Sequence, residues 1–120
     1  MSEISFKPGD IIYEAGTVSV LAYIIKSGQV SISFELNGKF LKIDAGPGDI
    51  IGDSAVVLGE PPVGQSPVYR ATAIAVGNVV AQELPIEVLK HELESASPLL
   101  RGWIASFVDR TLKVVAKAVE

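Results

Sequence analysis

Cysteine is absent from this chain, and histidine, tryptophan and methionine occur once each. Without thiols there can be no disulfide, zinc–thiolate site, iron–sulfur cluster or thiol nucleophile. One histidine, His91, is too few for a metal site built on several imidazoles. Positive charge is also scarce: 10 Lys and Arg against 14 Asp and Glu leave a net charge of −4. A nucleic-acid partner is therefore not expected, because such a surface needs a basic patch to displace counterions. No apolar run approaches the roughly 20 residues that cross a bilayer, so no membrane partner is expected either. The opening "MSEISFKPGD" has neither the basic stretch nor the apolar stretch of a secretory signal. A cytoplasmic home is the expectation.

What the chain has in quantity is hydrophobic residues, 48% against 20% charged, the balance of an ordinary folded domain. Its 120 residues suit a single domain, 1–120, large enough for a real core. Residues 5–84 read as short strands and turns. "AYIIKSGQVSISF" (22–34) holds two β-type runs broken at Ser27-Gly28, where glycine can supply a tight turn. Val30, Ile32 and Phe34 alternate with Gln29, Ser31, Ser33 and Glu35, the pattern of a half-buried strand. "ELNGKF" carries Asn37-Gly38, the strongest short hairpin signal, and "FLKIDA" alternates again after it. "RATAIAVGNVVAQEL" (70–84) reads as a later strand with Gly77-Asn78 as its internal turn. Short strands at this spacing indicate a rolled or sandwiched antiparallel sheet.

The last third changes period. Pro85 suits a helix start, and Ile86, Leu89 and Leu93 recur at helical spacing, which predicts a helix over about 86–94. Ser97-Pro98 supplies an N-cap and a first helical proline, predicting a second helix over about 98–118. Its apolar positions Leu100, Trp103, Ile104, Phe107, Thr111, Val114, Val115 and Ala118 fall on one stripe. Trp103 and Phe107 read as core residues that seal the strands. Arg110, Lys113 and Lys117 gather toward the C-terminal end, where positive charge suits the helix dipole.

Pro-Gly-Asp-Ile-Ile occurs twice, in "KPGDIIYEAG" (7–16) and in "GPGDIIGDSA" (46–55). Proline fixes φ, glycine permits the turn, aspartate can bond nearby amides, and Ile-Ile starts a strand. With these motifs in order the chain resembles the cyclic nucleotide-binding domain. That is the module of catabolite activator proteins, kinase regulatory subunits and cyclic-nucleotide-gated channels. "FKPGDIIYEAG" resembles the family's opening turn and "AYIIKSGQVSI" its next hairpin. "GPGDIIGDSAVVLGEPP" lies where the family has its phosphate-binding cassette. The resemblance spans roughly residues 5–112 of the chain. It implies a mainly β fold, an antiparallel β-roll (a double-stranded β-helix) flanked by α-helices, and cAMP or cGMP as the ligand to consider.

The resemblance also implies a site. The family's cassette is a short helix whose first amides hold the cyclic phosphate. A Gly-Glu pair precedes it, the Glu on the ribose 2′-hydroxyl, and an Arg follows in a Pro-Arg-x-Ala-Thr context. Gly52 matches that glycine and Ala55 an alanine after the acid. Asp53 stands where Glu is expected and is one methylene shorter. Ser54 replaces an apolar residue, and its hydroxyl could cap the helix or donate to an anion. The arginine is displaced. Counting forward from Gly52 lands on Pro62, and counting back from Ala71-Thr72 lands on Tyr69, because "VGQSPVY" is extra. Arg70 is adjacent, but one step along a strand turns a side chain to the other face, unless a bulge restores its aim. Gly52, Asp53, Ser54, Ala55, Arg70, Ala71 and Thr72 are thus the candidate ligand-binding residues, with ordinary cAMP or cGMP binding in question.

No catalytic constellation stands out. Ser54 has no base near it in sequence, and "GDSAVV" is not a Gly-x-Ser-x-Gly elbow. Asp44, Asp49 and Asp53 are explained largely by turns. No cofactor is expected. The expected function is therefore a stand-alone, non-enzymatic regulatory module, acting as ligand sensor or signalling adaptor. The alternative is a degenerate β-roll that serves protein interaction or dimerisation without a nucleotide. For either role the C-terminal helix is the surface for a homodimer or protein partner, since apolar Leu112, Val115 and Val119 continue past Arg110.

Overall fold

The computed structural model describes residues 2–57 and 61–119. Among them, eight strands form two four-stranded antiparallel sheets. One sheet runs β1 (Glu3–Phe6), β8 (Val79–Pro85), β3 (Leu21–Ser27), β6 (Ile50–Ile51); the other runs β2 (Ile11–Tyr13), β7 (Thr72–Ala75), β4 (Val30–Leu36), β5 (Lys39–Ala45). Among the described residues a helical segment, α1 (Ser54–Val57), follows β6, and α2 (Ile86–Ser95) and α3 (Pro98–Ala118) come after the strands. This is the β-roll with C-terminal helices that the resemblance implied.

Local chemistry explains most of the turns. Asn37 and Gly38 take φ of 53° and 78°, the left-handed pair that a two-residue hairpin demands, and Leu36 then faces Lys39. The two Pro-Gly-Asp turns are built alike. Asp10 accepts the Lys7 amide at 2.7 Å and Asp49 accepts the Gly46 amide at 2.8 Å. The Gly9 amide donates to the Ala75 carbonyl and the Gly48 amide to the Ile25 carbonyl, both at 2.8 Å. Each turn thereby clips onto the strand with which its own Ile-Ile then pairs.

Ser27-Gly28 and Gly77-Asn78 differ from the expectation. β3 and β4 lie in different sheets, as do β7 and β8. Neither break is a hairpin or the internal turn of one strand; each is a corner where the chain passes between sheets. The corners touch. Gly28 has φ +93°, and a Cβ on it would collide with the Asn78 carbonyl.

Between the sheets, Tyr13, Tyr23, Tyr69, Ile25 and Ile32 fill the interior, and Ala73, Ala75 and Ala81 leave room for the rings. On the opposite face of the first sheet, Ala22 and Leu84 receive Ile86 and Leu89 of α2 together with Val56 of α1. The Ile86 amide donates to the Val20 carbonyl at 3.0 Å, which ties the start of α2 to β3. Ser97 caps α3 by accepting the Leu100 amide at 3.1 Å, with Pro98 in the first turn. α3 then departs from the expectation. Trp103 and Phe107 are 67% and 62% exposed, so they do not seal the roll.

The corner contact gives a test of the fold. Gly28→Ala combines a forbidden φ with a backbone collision and should cost more than ~2 kcal/mol in urea unfolding. Gly9→Ala has the same φ penalty with nothing within 4 Å of the added carbon, and should cost about 1 kcal/mol. Equal losses would contradict the packed corner.

Candidate functional site

Tyr13 and Gly52 occupy the same place in the two repeats, one residue after Ile-Ile. They meet in the fold. Gly52 has φ +78°, and a Cβ there would lie 3.3 Å from the Tyr13 ring and 3.4 Å from the Tyr69 ring. One copy of the repeat supplies a ring and the other leaves the space that the ring needs. Tyr13 stacks on Tyr69 with centroids 4.4 Å apart and planes 18° apart. The Tyr69 hydroxyl donates to the Leu21 carbonyl at 2.6 Å.

A cavity of about 230 Å³ opens beside this stack. Gly52, Asp53, Ser54, Arg70 and Ala71 contribute to its lining, so five of the seven candidate residues come together there. Apolar walls are provided by Tyr13, Ile32, Ile43, Ile50 and Ile51. Ile32 and Ile43 face one another across β4 and β5, and Ile43 is 54% exposed because its side of the strand looks into the opening. These apolar residues were not singled out from sequence. The signal was present in the alternation of "FLKIDA" and in the Ile-Ile of both repeats.

Thr72 and Ala55 stand differently. The Thr72 hydroxyl accepts the Ala15 amide at 3.1 Å, a tie between β7 and the loop after β2. Ala55 lies in α1, with its side chain outside the described residues, as are Leu58, Gly59 and Glu60 of the cassette. Ser54 is the first residue of α1 rather than its cap, and the Val56 amide closes the turn on the Asp53 carbonyl at 2.9 Å.

The extra residues end in a defined way. Pro62 and Gln65 close a turn at 3.0 Å, Val68 bridges Val18, and the Ser19 amide donates to the Pro67 carbonyl at 2.9 Å. The Tyr69 amide donates to the Thr17 carbonyl at 2.9 Å and the Gly16 amide to the Tyr69 carbonyl at 2.8 Å. Alternation then turns Tyr69 inward, where it is buried, and Arg70 outward, where it is exposed. Arg70 nonetheless reaches the cavity from its rim. Tyrosine therefore fills the interior position that backward counting assigned to the family's arginine.

The charges follow from burial. Loss of solvent raises the Asp53 carboxyl above its ordinary value, offset in part by its own backbone amide. Burial also pushes the Tyr13 hydroxyl well above the usual tyrosine range; the Asp53 charge adds to this and the Gly52 backbone opposes it. Among the described residues the cavity is lined by one carboxylate, Asp53, and one guanidinium, Arg70, which offset one another.

The fold is a β-roll with a cavity beside its tyrosine stack, and the comparisons identify its family. A sequence model of the cyclic nucleotide-binding domain matches residues 3–96, well over half of the chain, so the chain belongs to that family. Among curated proteins none matches. Solved structures share the fold. The cAMP- and cyclic-di-GMP-bound form of the EAL enzyme Bd1971 has a TM-score of 0.77 at 17% identity, covering 99% of this chain and 30% of that one. The catabolite activator protein of Thermus thermophilus has a TM-score of 0.70 at 20% identity, covering 98% of this chain and 53% of that one. A transcriptional regulator of Thermotoga maritima has a TM-score of 0.67 at 22% identity, covering 98% and 88%. This chain therefore spans less than a third of the length of the EAL enzyme.

The position of Asp53 makes stability depend on pH. A carboxyl whose pKa is raised by folding binds protons more readily when folded, so stability falls as pH rises through its titration. The loss begins near the ordinary aspartate value of 3.8 and is complete above the folded value. Asp53→Asn, which keeps the local turn chemistry, should remove that penalty and be more stable than wild type at neutral pH. The gain should shrink as pH falls below the carboxylate range. Urea unfolding across pH checks this, and a destabilised Asn variant at neutral pH would contradict it.

Proposed function

We propose that this chain is a non-enzymatic, cytoplasmic regulatory module that senses an anionic ligand of nucleotide type in the cavity beside Tyr13. Gly52, Asp53, Ser54, Ala55, Arg70, Ala71 and Thr72 form and support the site. One observation carries the reading: the Gly52–Ser54 turn and Arg70 meet on one cavity although a long loop separates them in sequence. Asp53 would accept a hydrogen bond from a ligand hydroxyl, Arg70 would meet the negative charge, and the isoleucines would cover an apolar face. The offset of Arg70 by Asp53 favours modest affinity. So does size, since about 230 Å³ is below the ~300–1,000 Å³ usual for small-molecule sites.

cAMP and cGMP are the ligands to consider, and neighbours of the same fold are described in cAMP-bound and cGMP-bound forms. A charge-assisted contact is worth about 1.5–3 kcal/mol, and an exposed one falls toward ~1 kcal/mol or less. Displacement of arginine from the interior to the rim should therefore weaken cyclic nucleotides relative to a site with a buried arginine. Calorimetric titration with cAMP, cGMP and cyclic dinucleotides tests the proposal. Binding should be detected, and Arg70→Ala should weaken it up to about fivefold, ~1 kcal/mol. An unchanged affinity would remove Arg70 from the site, and no heat at millimolar ligand would eliminate the ligand reading.

A second reading, an adaptor that works through α3, is favoured by a separate observation. No residue of that helix is buried, and Leu99, Trp103, Phe107 and Val114 stand in solvent. Truncation after Arg110 should weaken self-association or partner binding. A chain that is monomeric and without partners both before and after truncation would count against an adaptor.

A further inference from the structure

β5 ends its sheet, with β4 on one side and no strand on the other among the described residues. It is the longest of the four outer strands, with seven residues against four in β1, three in β2 and two in β6. A free edge presents a row of amides and carbonyls to any chain that can pair with it. Register tells which ones. The Val76 amide bonds the Gln29 carbonyl at 3.0 Å, so the odd residues of β4 bond toward β7 and the even ones toward β5. Phe34, Ile32 and Val30 face Leu41, Ile43 and Ala45. The backbone groups of Phe40, Lys42 and Asp44 therefore point away from β4, out of the side of the sheet. Their side chains share the outer face, since Ile43 looks into the cavity and alternation puts its neighbours opposite. Phe40 is 80% exposed there.

Lysine often blunts such an edge, but here charge selects an occupant. The segment Lys42-Ile43-Asp44 is self-complementary. Turned antiparallel about Ile43, Lys42 of one strand meets Asp44 of another, and Asp44 meets Lys42. Neither is ion-paired among the described residues. Hydrogen-bond parity agrees, because both members of each such pair have outward backbone groups. We infer that β5 pairs edge to edge with β5 of a second copy of this chain, antiparallel, with the two-fold axis at Ile43. Each Lys42–Asp44 pair then exchanges backbone hydrogen bonds and sets opposite charges side by side. An axis moved by one residue, to Lys42 or to Asp44, would set lysine on lysine or aspartate on aspartate, which like charges oppose. At the axis the two Ile43 side chains come together, so each copy extends the apolar wall of the other's cavity.

The pairing uses neither a nucleotide nor α3, so it stands or falls apart from both of those readings. Its seam is short and the dimer is therefore weak. Sedimentation of the full chain should show it filling between about 10 μM and 1 mM. Lys42→Glu sets a glutamate against Asp44 of the second copy and should raise the dissociation constant at least about tenfold. Lys42→Glu with Asp44→Lys reverses both charges and should restore the dimer. Circular dichroism should be unchanged in both variants, because Lys42 and Asp44 are exposed in one copy. Register is read with cysteines, which the native chain lacks. Opposed residues of a hydrogen-bonded pair lie about 5.5 Å apart at Cα, within disulfide reach. A mixture of Lys42→Cys and Asp44→Cys chains should form the mixed disulfide on mild oxidation, and neither chain alone should link to itself. Self-linking of the Lys42→Cys chain would overturn the axis at Ile43. A chain still monomeric at about 1 mM would overturn the second copy as partner. A dimer that Lys42→Glu leaves unchanged would put the contact on another surface and overturn the edge pairing.

Discussion

Tyr13 and Tyr69 stack 4.4 Å apart inside the roll, and the elements around the cavity take their places from that pair. Tyr13 comes directly from the first Pro-Gly-Asp-Ile-Ile turn. Tyr69 comes from the end of the extra loop, held by backbone bonds to Gly16 and Thr17 and by its hydroxyl on Leu21. Gly52, the residue after the second Pro-Gly-Asp-Ile-Ile, sits against the edges of both rings, where an added Cβ would lie 3.3 and 3.4 Å from them. An aromatic pair of this kind adds about 0.5–1.5 kcal/mol beyond its burial. Its larger consequence is positional. With Tyr69 turned inward, Arg70 must turn outward, and the charge available to a ligand sits at the rim.

That arrangement also bears on how a bound state would reach the helices. Tyr69 is tied to Leu21, Leu21 pairs with Pro85, and the Ile86 amide bonds to Val20. The end of the extra loop and the start of α2 therefore share one short segment of β3. Val56 of α1 packs in the same cluster as Ile86 and Leu89. Spatial continuity of this kind is a route along which coupling is physically available.

Much of the fold was legible because the signals were local. Asn37-Gly38 demands its hairpin, Ser97-Pro98 its helix start, and each Pro-Gly-Asp its turn, whatever lies elsewhere in the chain. The sheet-changing corners at Ser27-Gly28 and Gly77-Asn78 were not legible, since a turn residue says that the chain bends and not which strand it joins next. The lining of the cavity was half legible. Gly52, Asp53 and Ser54 were found by motif, while Tyr13, Ile32 and Ile43 reach the cavity only through long-range pairing. Counting residues gave Arg70 a face opposite the pocket, and alternation did turn it outward, but the rim of the cavity extends far enough to meet it. For α3 the periodicity was right and its meaning was ambiguous, because a stripe looks the same whether it covers its own roll or another molecule.

The central claim is that the turn after the second Pro-Gly-Asp-Ile-Ile is a ligand site, whereas the first is a structural corner. Amide chemical shifts of the labelled protein, followed as cAMP is added, test it most directly. The account predicts that the largest changes fall on Gly52, Asp53, Ser54 and the Arg70–Ala71 segment, with the first turn at Gly9 and Asp10 unmoved. Changes of equal size at both turns, or none at millimolar nucleotide, would contradict it.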